Sequence, residues 1–492
     1  MSTPLSAPSC VRPFYVTTAI PYVNGAPHLG HALELVQADV LARHARSRGR
    51  AVRFLTGTDD NALKNVAAAR AAGVPVAEFV AANAARFTAL REPLSLSVDD
   101  VIHTGSDPRH RAAVARLWRR SAAAGDFYRR RYTGRYCLGC ERFLDAERCV
   151  EHAAPTERVS EENWFFRLSR YAPAVAEAIR TGRLRIEPAT RRNEVLALLR
   201  SGVSDISVSR PAERAAGWGI PVPDDPGDVV YVWWDALVNY VSALGEGVDL
   251  ATWWTGGERV HVIGKGILRF HAVVWPAILL SAGLPLPDAL YVHPYLGVDG
   301  VKISKTAGNA VDPVELVGRV GADALRWWFA REVARDADVD FTEHRLVARV
   351  DRELANGLGN LVHRIIALVH RHGGRLTGSP AGALWAASGA LPARVDTALA
   401  RFDLRGAATA IWDVVEAGNR TVTRERPWEL AADDPALADL LTSLVHACRT
   451  ITTEIEPFLP DAAPRLRALL GEGDRVGRGE PVFVRLGDHV GS

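Results

Sequence analysis

Lysine is almost missing from this chain. It stands only at Lys64, Lys265, Lys302 and Lys305, so the 59 Lys and Arg are nearly all arginine. Exposed Lys and Arg exchange at little cost, but a compact ammonium touching a phosphate oxygen is not replaced by a wide planar guanidinium. The four survivors therefore mark candidate sites where Arg will not serve. Chance retention is the competing account, and it fits Lys64 better than the Lys302/Lys305 pair. Cysteine is scarce too: five in 492 residues exclude a disulfide scaffold. No long apolar run is present. The longest, residues 270 to 284, contains His271 and Pro276 and falls short of the roughly 20 residues a membrane span needs. The start, MSTPLSAPSCVRPFYV, has no basic stretch followed by an apolar one and does not read as a secretory signal. A cytoplasmic protein with no membrane partner is expected. The net charge of +2 excludes a molecule-wide field for nucleic acid, so such a partner must be met by a local basic surface.

What is present has the balance of a globular protein, with 48% hydrophobic and 24% charged residues, in a chain long enough for two to four domains. FYVTTAI reads as a strand, PYVNGAP as a loop, and the residues from His28 as a helix whose Leu29, Leu33, Val36 and Val40 form one apolar stripe. VRFLTGTD reads as the next strand. This is the βαβ start of a parallel, Rossmann-type α/β domain. The rhythm breaks at about residue 117 and returns near 227 with VVYVWWDAL, VHVIGKGIL and LYVHPYLGV. The expected organisation is thus an α/β domain split into residues 1–116 and 227–344, an insertion at 117–226, an α-helical bundle at 345–482 and a tail at 483–492.

Three constellations carry chemistry. His28-Leu29-Gly30-His31 sits where the first loop becomes a helix; a helix N-terminus offers free N–H groups and positive dipole to an anion, and Gly30 lets a ligand approach the backbone. A nucleotide triphosphate fits such a corner, although two capping or surface histidines would look the same. Lys302-Ile303-Ser304-Lys305-Thr306 places two of the four lysines three residues apart on a turn-rich segment, and adenylyl transfer needs cations where charge develops on phosphate oxygens. Cys137-Leu-Gly-Cys140, then eight residues, then Cys149-Val-Glu-His152 supplies the paired knuckles of one tetrahedral zinc. Free buried thiols would not explain that spacing.

HxGH in the first βα turn followed by KxSK after the last strand of the same sheet resembles the signature pair of class I aminoacyl-tRNA synthetases. Within that class YVTTAIPYVNGAPHLGHALE, YVWWDALVNYVSAL, GILRFHAVVWPAIL, HPYLGVDGVKISKTAGNAVDP, GADALRWWF, LANGLGNLVHR and EPFLPDAA are similar to the methionyl enzymes. The resemblance implies a catalytic Rossmann-type domain, a zinc-bearing insertion and a helical anticodon-binding domain. It implies catalysis by His28, His31, Lys302 and Lys305, and nucleotide contacts from these with Gly30, Gly264, Lys265, Ser304 and Thr306. It implies a methionine pocket of Ile20, Tyr22, Asp59, Trp233, Ala236, Leu237, Tyr240 and His271, and a structural Zn2+ on Cys137, Cys140, Cys149 and His152. Asn419, Arg420 and Trp428 match the segment facing the anticodon, with Arg467 where the family often carries a stacking Trp. The implied substrates are methionine, ATP with Mg2+ and tRNA(Met); a monomer is expected, because the chain ends soon after the bundle without an appended dimerising module.

The chain also departs from the family. Asp59-Asp60-Asn61-Ala62 stands where Asp-Glu-His-Gly is usual, and Gly266 replaces an acid belonging to the ribose part of the nucleotide site. These changes motivate an alternative, a paralogue forming an aminoacyl-adenylate or aminoacyl-tRNA for a role outside general translation. A regulatory protein that kept the scaffold without turnover is opposed by the retention of both signatures.

Overall fold

The computed structural model describes residues 11–137, 142–144, 146–149, 155–298, 300–303 and 309–488. They form two compact units, each assembled from separate stretches of chain. One comprises the segment ending at Pro27 with His44–Ala89 and Ser97–His293; the other comprises His28–Arg43, Leu90–Leu96 and the described residues from Pro294 onward.

The first unit is built on a six-stranded parallel sheet in the order Asp100–His103, Val52–Thr58, Phe14–Thr18, Glu258–Gly264, Ala289–His293, Arg185–Glu187. The β-branched and aromatic residues of FYVTT are all buried, as suits a strand covered on both faces. Chain order runs outward from Phe14–Thr18 to Asp100–His103 on one side and from Glu258–Gly264 to Ala289–His293 on the other, so the central pair flanks a topological switch point. The outer strand Arg185–Glu187 comes from within 117–226, so that stretch is not wholly an insertion: its middle part completes the parallel sheet. Segments on both sides of that strand build a separate four-stranded antiparallel sheet, Arg142–Leu144, Phe127–Cys137, Glu157–Phe166 and Ile206–Ser207. A second correction concerns VVYVWWDAL. Asp225–Val230 pairs antiparallel with Ser209–Pro211 and Pro221–Val222, and Val232 starts a short helix, Val232–Leu237. The aromatic run that suggests a buried parallel strand is buried instead by the helix, with Trp234 edge-on to Trp118, Phe127 and Phe166.

In the second unit Leu296–Val298 pairs with Val301–Lys302 and Val339–Asp340, and helices follow. Two of them open on Asp-Pro: Asp312 accepts from Val314 N at 2.8 Å and Asp434 from Ala436 N at 2.8 Å, while Pro313 and Pro435 give up a first-turn N–H that has no helical partner anyway. Leu361, Val362, Ile365, Ile366 and Val369 form the buried stripe of Asn360–Arg371, each contributing about 1.5–3 kcal/mol if fully buried. A Cβ on Gly357 would lie 2.2 Å from the Trp412 ring, so the glycine lets that indole seat against the backbone. At the centre of the unit the fully buried Arg326 donates to Asp39 at 2.7 Å and to the carbonyls of Leu94, Pro457 and Phe458 at 3.1, 2.8 and 3.0 Å.

Candidate active site

In an open parallel sheet, ligands bind outside the carboxyl ends of the strands at the switch point. Phe14–Thr18 runs out there into Ala19, Ile20 and Tyr22, Val52–Thr58 into Asp59, and Glu258–Gly264 into Lys265. Tyr22 and Asp59 form a parallel bridge, with Asp59 N donating to Pro21 O at 2.9 Å. The Tyr22 ring meets Trp233 edge-on at 6.3 Å, and Trp233 stacks on Phe270 at 3.5 Å. Ala236, Leu237, Tyr240 and His271 are buried in the same unit. The structure thus brings Tyr22, Asp59 and Trp233 together at one strand end, and Tyr240 and His271 together by a hydrogen bond.

That hydrogen bond fixes a tautomer. His271 Nδ1 donates to Ile267 O at 3.0 Å, so Nε2 accepts from the Tyr240 hydroxyl at 2.7 Å. Burial holds the His271 pKa down to about 4, and burial with the neighbouring His271 holds His261 well below the usual imidazole range. His261 accepts from Trp275 Nε1 at 3.2 Å and meets Thr17 Oγ1 at 2.7 Å. The result is an aromatic, polar and uncharged wall, the chemistry that a thioether packs against.

Sequence reasoning missed the network beneath Asp59. Asn65 Nδ2 donates to the carbonyls of Asp59 and Asp60 at 2.9 and 3.0 Å, and Trp218 Nε1 donates to Asp60 O at 2.8 Å. The Asp60 carboxylate accepts from Thr58 at 2.8 Å and Gly105 N at 3.1 Å, while its burial raises its pKa against those bonds. Asn61 donates to the fully buried Asp235 at 2.7 Å, whose other oxygen meets His110 Nε2 at 2.5 Å. His110 carries no signal in the sequence; on an Arg-rich amphipathic helix it reads as a surface residue.

In the second unit His28 immediately precedes the helix Leu29–Ser47. The imidazoles stack at 3.9 Å, Gly30 N donates to His28 Nδ1 and His28 N to His31 Nδ1, both at 3.1 Å. Each ring thus accepts a backbone N–H at Nδ1, as capping histidines do, and so carries its ring proton on Nε2. A Cβ on Gly30 would lie 2.9 Å from the His28 ring; the close approach that requires this glycine is made by the histidine itself. Leu29 N also donates to Val311 O at 3.1 Å, which joins the first signature to the chain just beyond the second.

Comparisons with known proteins give the family. The family model described as tRNA synthetases class I (M) matches residues 14–162 and 145–366. The methionine--tRNA ligase of Rhizobium meliloti is 38% identical over 96% of this chain and 96% of its own length, and that of Brucella suis is 39% identical over 93% and 91%. The chain belongs to the methionine--tRNA ligase family. Among solved structures, Mycobacterium tuberculosis methionyl-tRNA synthetase in complex with methionyl-adenylate is similar at a TM-score of 0.91 and 36% identity, covering 96% of this chain and all of that one, and the free form of the same enzyme at 0.85 and 33%.

Against the methionyl family's remaining features, Gly266 is exposed in the turn Lys265–Ile267 that follows Gly264. Lys302 pairs through its backbone with Gly297; Ser304, Lys305 and Thr306 lie outside the described residues. Cys137, closing the strand Phe127–Cys137, and Cys149 are both buried, while Cys140 and His152 lie outside the described residues. In the bundle Asn419 is half-buried and donates to Gly357 O at 3.3 Å and Val415 O at 3.1 Å, so its amide joins two helical segments. Arg420 pairs with Glu416 at 3.3 Å and Arg467 with Glu456 at 2.6 Å, both exposed. Trp428 is 44% exposed, with the Arg364 guanidinium 5.6 Å from its ring. Among the described residues no helix is long and apolar enough to cross a membrane.

Proposed function

We propose that this chain joins the carboxylate of methionine to the α-phosphate of ATP, releasing pyrophosphate, and then passes the methionyl group from the adenylate to the terminal hydroxyl of tRNA(Met). The observation that carries this reading is the Tyr22–Asp59–Trp233 corner at the switch point, beside the uncharged Tyr240–His271 wall, in a chain that is 36% identical to a synthetase solved with methionyl-adenylate. Asp59 holds the substrate ammonium by a charge-assisted hydrogen bond. Ile20, Tyr22, Trp233, Ala236, Leu237, Tyr240 and His271 receive the thioether. The attacking group is the substrate's own carboxylate, so no covalent enzyme intermediate forms and catalysis is positioning plus charge stabilisation. His28 and His31 offer Nε2–H to phosphate oxygens, Lys302 and Lys305 balance charge on the leaving pyrophosphate, and Gly264, Lys265, Ser304 and Thr306 hold the nucleotide, with Mg2+ accompanying its phosphates. The exposed Trp428, with Arg420 and Arg467, suits stacking on anticodon bases; Asn419 positions that helix. The enzyme acts as a cytoplasmic monomer.

Methionine-dependent exchange of pyrophosphate into ATP, followed by charging of tRNA(Met), tests the reading. Exchange that is equal with leucine, isoleucine and methionine would overturn it in favour of a repurposed pocket.

Cys137, Cys140, Cys149 and His152 would hold one Zn2+, which on binding neutralises thiolates and crosslinks the end of the antiparallel sheet. The buried positions of Cys137 and Cys149 suit a closed structural ion. One zinc per chain is expected by elemental analysis, and purified protein without metal would refute the assignment.

Gly266 removes a carboxylate from beside the ribose. A charge-assisted hydrogen bond contributes roughly 1.5–3 kcal/mol, or about tenfold to a hundredfold in affinity. Gly266→Asp is expected to lower the KM for ATP by about that factor without changing the choice of amino acid. Titration of exchange with ATP checks this, and an unchanged KM would mean that another group holds the ribose.

A further inference from the structure

We infer that Asn61 is a positioning residue that ties the two sides of the amino-acid pocket together, the loop carrying Asp59 and the helix carrying Trp233, Ala236 and Leu237. The inference rests on the pocket assignment above and extends it to a residue outside it.

Asn61 reaches both ways. Its backbone N–H donates to Asp59 Oδ1 at 3.3 Å, so it touches the carboxylate that takes the substrate ammonium. Its Nδ2 donates to Asp235 Oδ2 at 2.7 Å and to Thr104 O at 3.3 Å. Asp235 belongs to the helix Val232–Leu237, two residues after Trp233 and just before Ala236. The other oxygen of Asp235 is held by His110, whose Nδ1 meets Ser242 Oγ at 2.8 Å. His110, Asp235 and Ser242 are all completely buried. The helix is thus anchored on one side by a neighbour fixed in the core and on the other by Asn61.

A buried carboxylate tolerates the loss of a donor poorly, because water cannot replace it. With Asn61 cut back, Asp235 would turn toward another partner and carry the Trp233 turn with it. Asp59 would at the same time lose the side chain that spaces its loop from that turn. Both movements alter how the ground-state amino acid is held, and neither touches the phosphates. The residue type matters as well: Asn61 meets the carboxylates of Asp59 and Asp235, so a neutral donor fits there and an acid does not.

The test is methionine titration of pyrophosphate exchange by the full chain. Asn61→Ala should raise the KM for methionine about tenfold to a hundredfold, with kcat and the KM for ATP within about threefold of the parent. Asn61→His restores an N–H donor and should return the KM to within about threefold of the parent; a KM as high as that of the Ala variant would overturn Asp235 as the target. Asn61→Asp keeps the shape and places a third carboxylate in the cluster, so it should raise the KM at least as far as Ala does, and it decides the matter if the Ala variant does not fold. A KM in the Ala or Asp variant within about twofold of the parent would overturn the inference. Absence of methionine-dependent exchange in the parent would instead overturn the pocket assignment, which separates the two failures.

Discussion

Exchanging Asp59 for Asn is expected to raise the KM for methionine by a factor on the order of 10² to 10³ while leaving the KM for ATP within a few-fold. Asp59 is 3% exposed, so an ammonium held by its carboxylate is largely withdrawn from water. Truncating one member of a buried, hydrogen-bonded charge pair costs about 2–5 kcal/mol, much of it from leaving the other charge unpaired. The substitution preserves shape, the bond from Asn65 to the Asp59 carbonyl and the bond from Asp59 N to Pro21 O, so the fold should survive and the loss should fall on the amino acid alone. Exchange assays titrated separately with methionine and with ATP measure the split. A loss shared equally between the two substrates would show that Asp59 supports the site as a whole and does not read the ammonium.

The second large effect lies in stability. Arg326→Leu should destabilise the second unit by about 3–5 kcal/mol, because it takes one cation from a buried carboxylate and the shared donor from several buried carbonyls. Asp39 keeps its bond from Arg43 at 2.8 Å, but the carbonyls of Leu94, Pro457 and Phe458 lose their shared donor. Urea denaturation followed by circular dichroism measures this, with a lowered midpoint as the expected result. A midpoint equal to the parent's would mean that water takes over the four acceptors. Arg326→Lys should recover only part of the loss, since one ammonium cannot reach four acceptors arranged for a planar fork.

Much of this was legible in the sequence, for identifiable reasons. FYVTTAI, the helix after it and VRFLTGTD follow periodicities set by a buried parallel sheet, and the Asp-Pro pairs mark helix starts by local chemistry that tertiary context does not override. The outer strand Arg185–Glu187 was not legible, because three residues are too few for a period and only their register against Ala289–His293 makes them a strand. VVYVWW misleads for the opposite reason: aromatic and β-branched residues suit any buried surface, and here a short helix supplies the burial. The signature histidines were visible as a motif, but their capping of His28 N and Gly30 N is a matter of ring orientation. Asn61 was visible only as a departure; its partner Asp235 lies 174 residues away along the chain, and Asp235 in turn meets His110 only in the fold.

The Tyr240–His271 hydrogen bond bears on how the pocket would meet an oxidised amino acid. Because His271 spends its only proton on Ile267 O, it can act toward Tyr240 only as an acceptor, and the phenol must point its hydrogen that way. In the pocket proposed above, the hydroxyl would therefore present lone pairs to the side chain received. A thioether sulfur, with no strong need to accept, loses little by lying against them. A sulfoxide brings a strongly polar oxygen that seeks a donor, and this wall would offer it electron density in place of a proton. Oxidative damage to the free methionine pool would in this way be kept out of new protein by the direction of a single O–H bond.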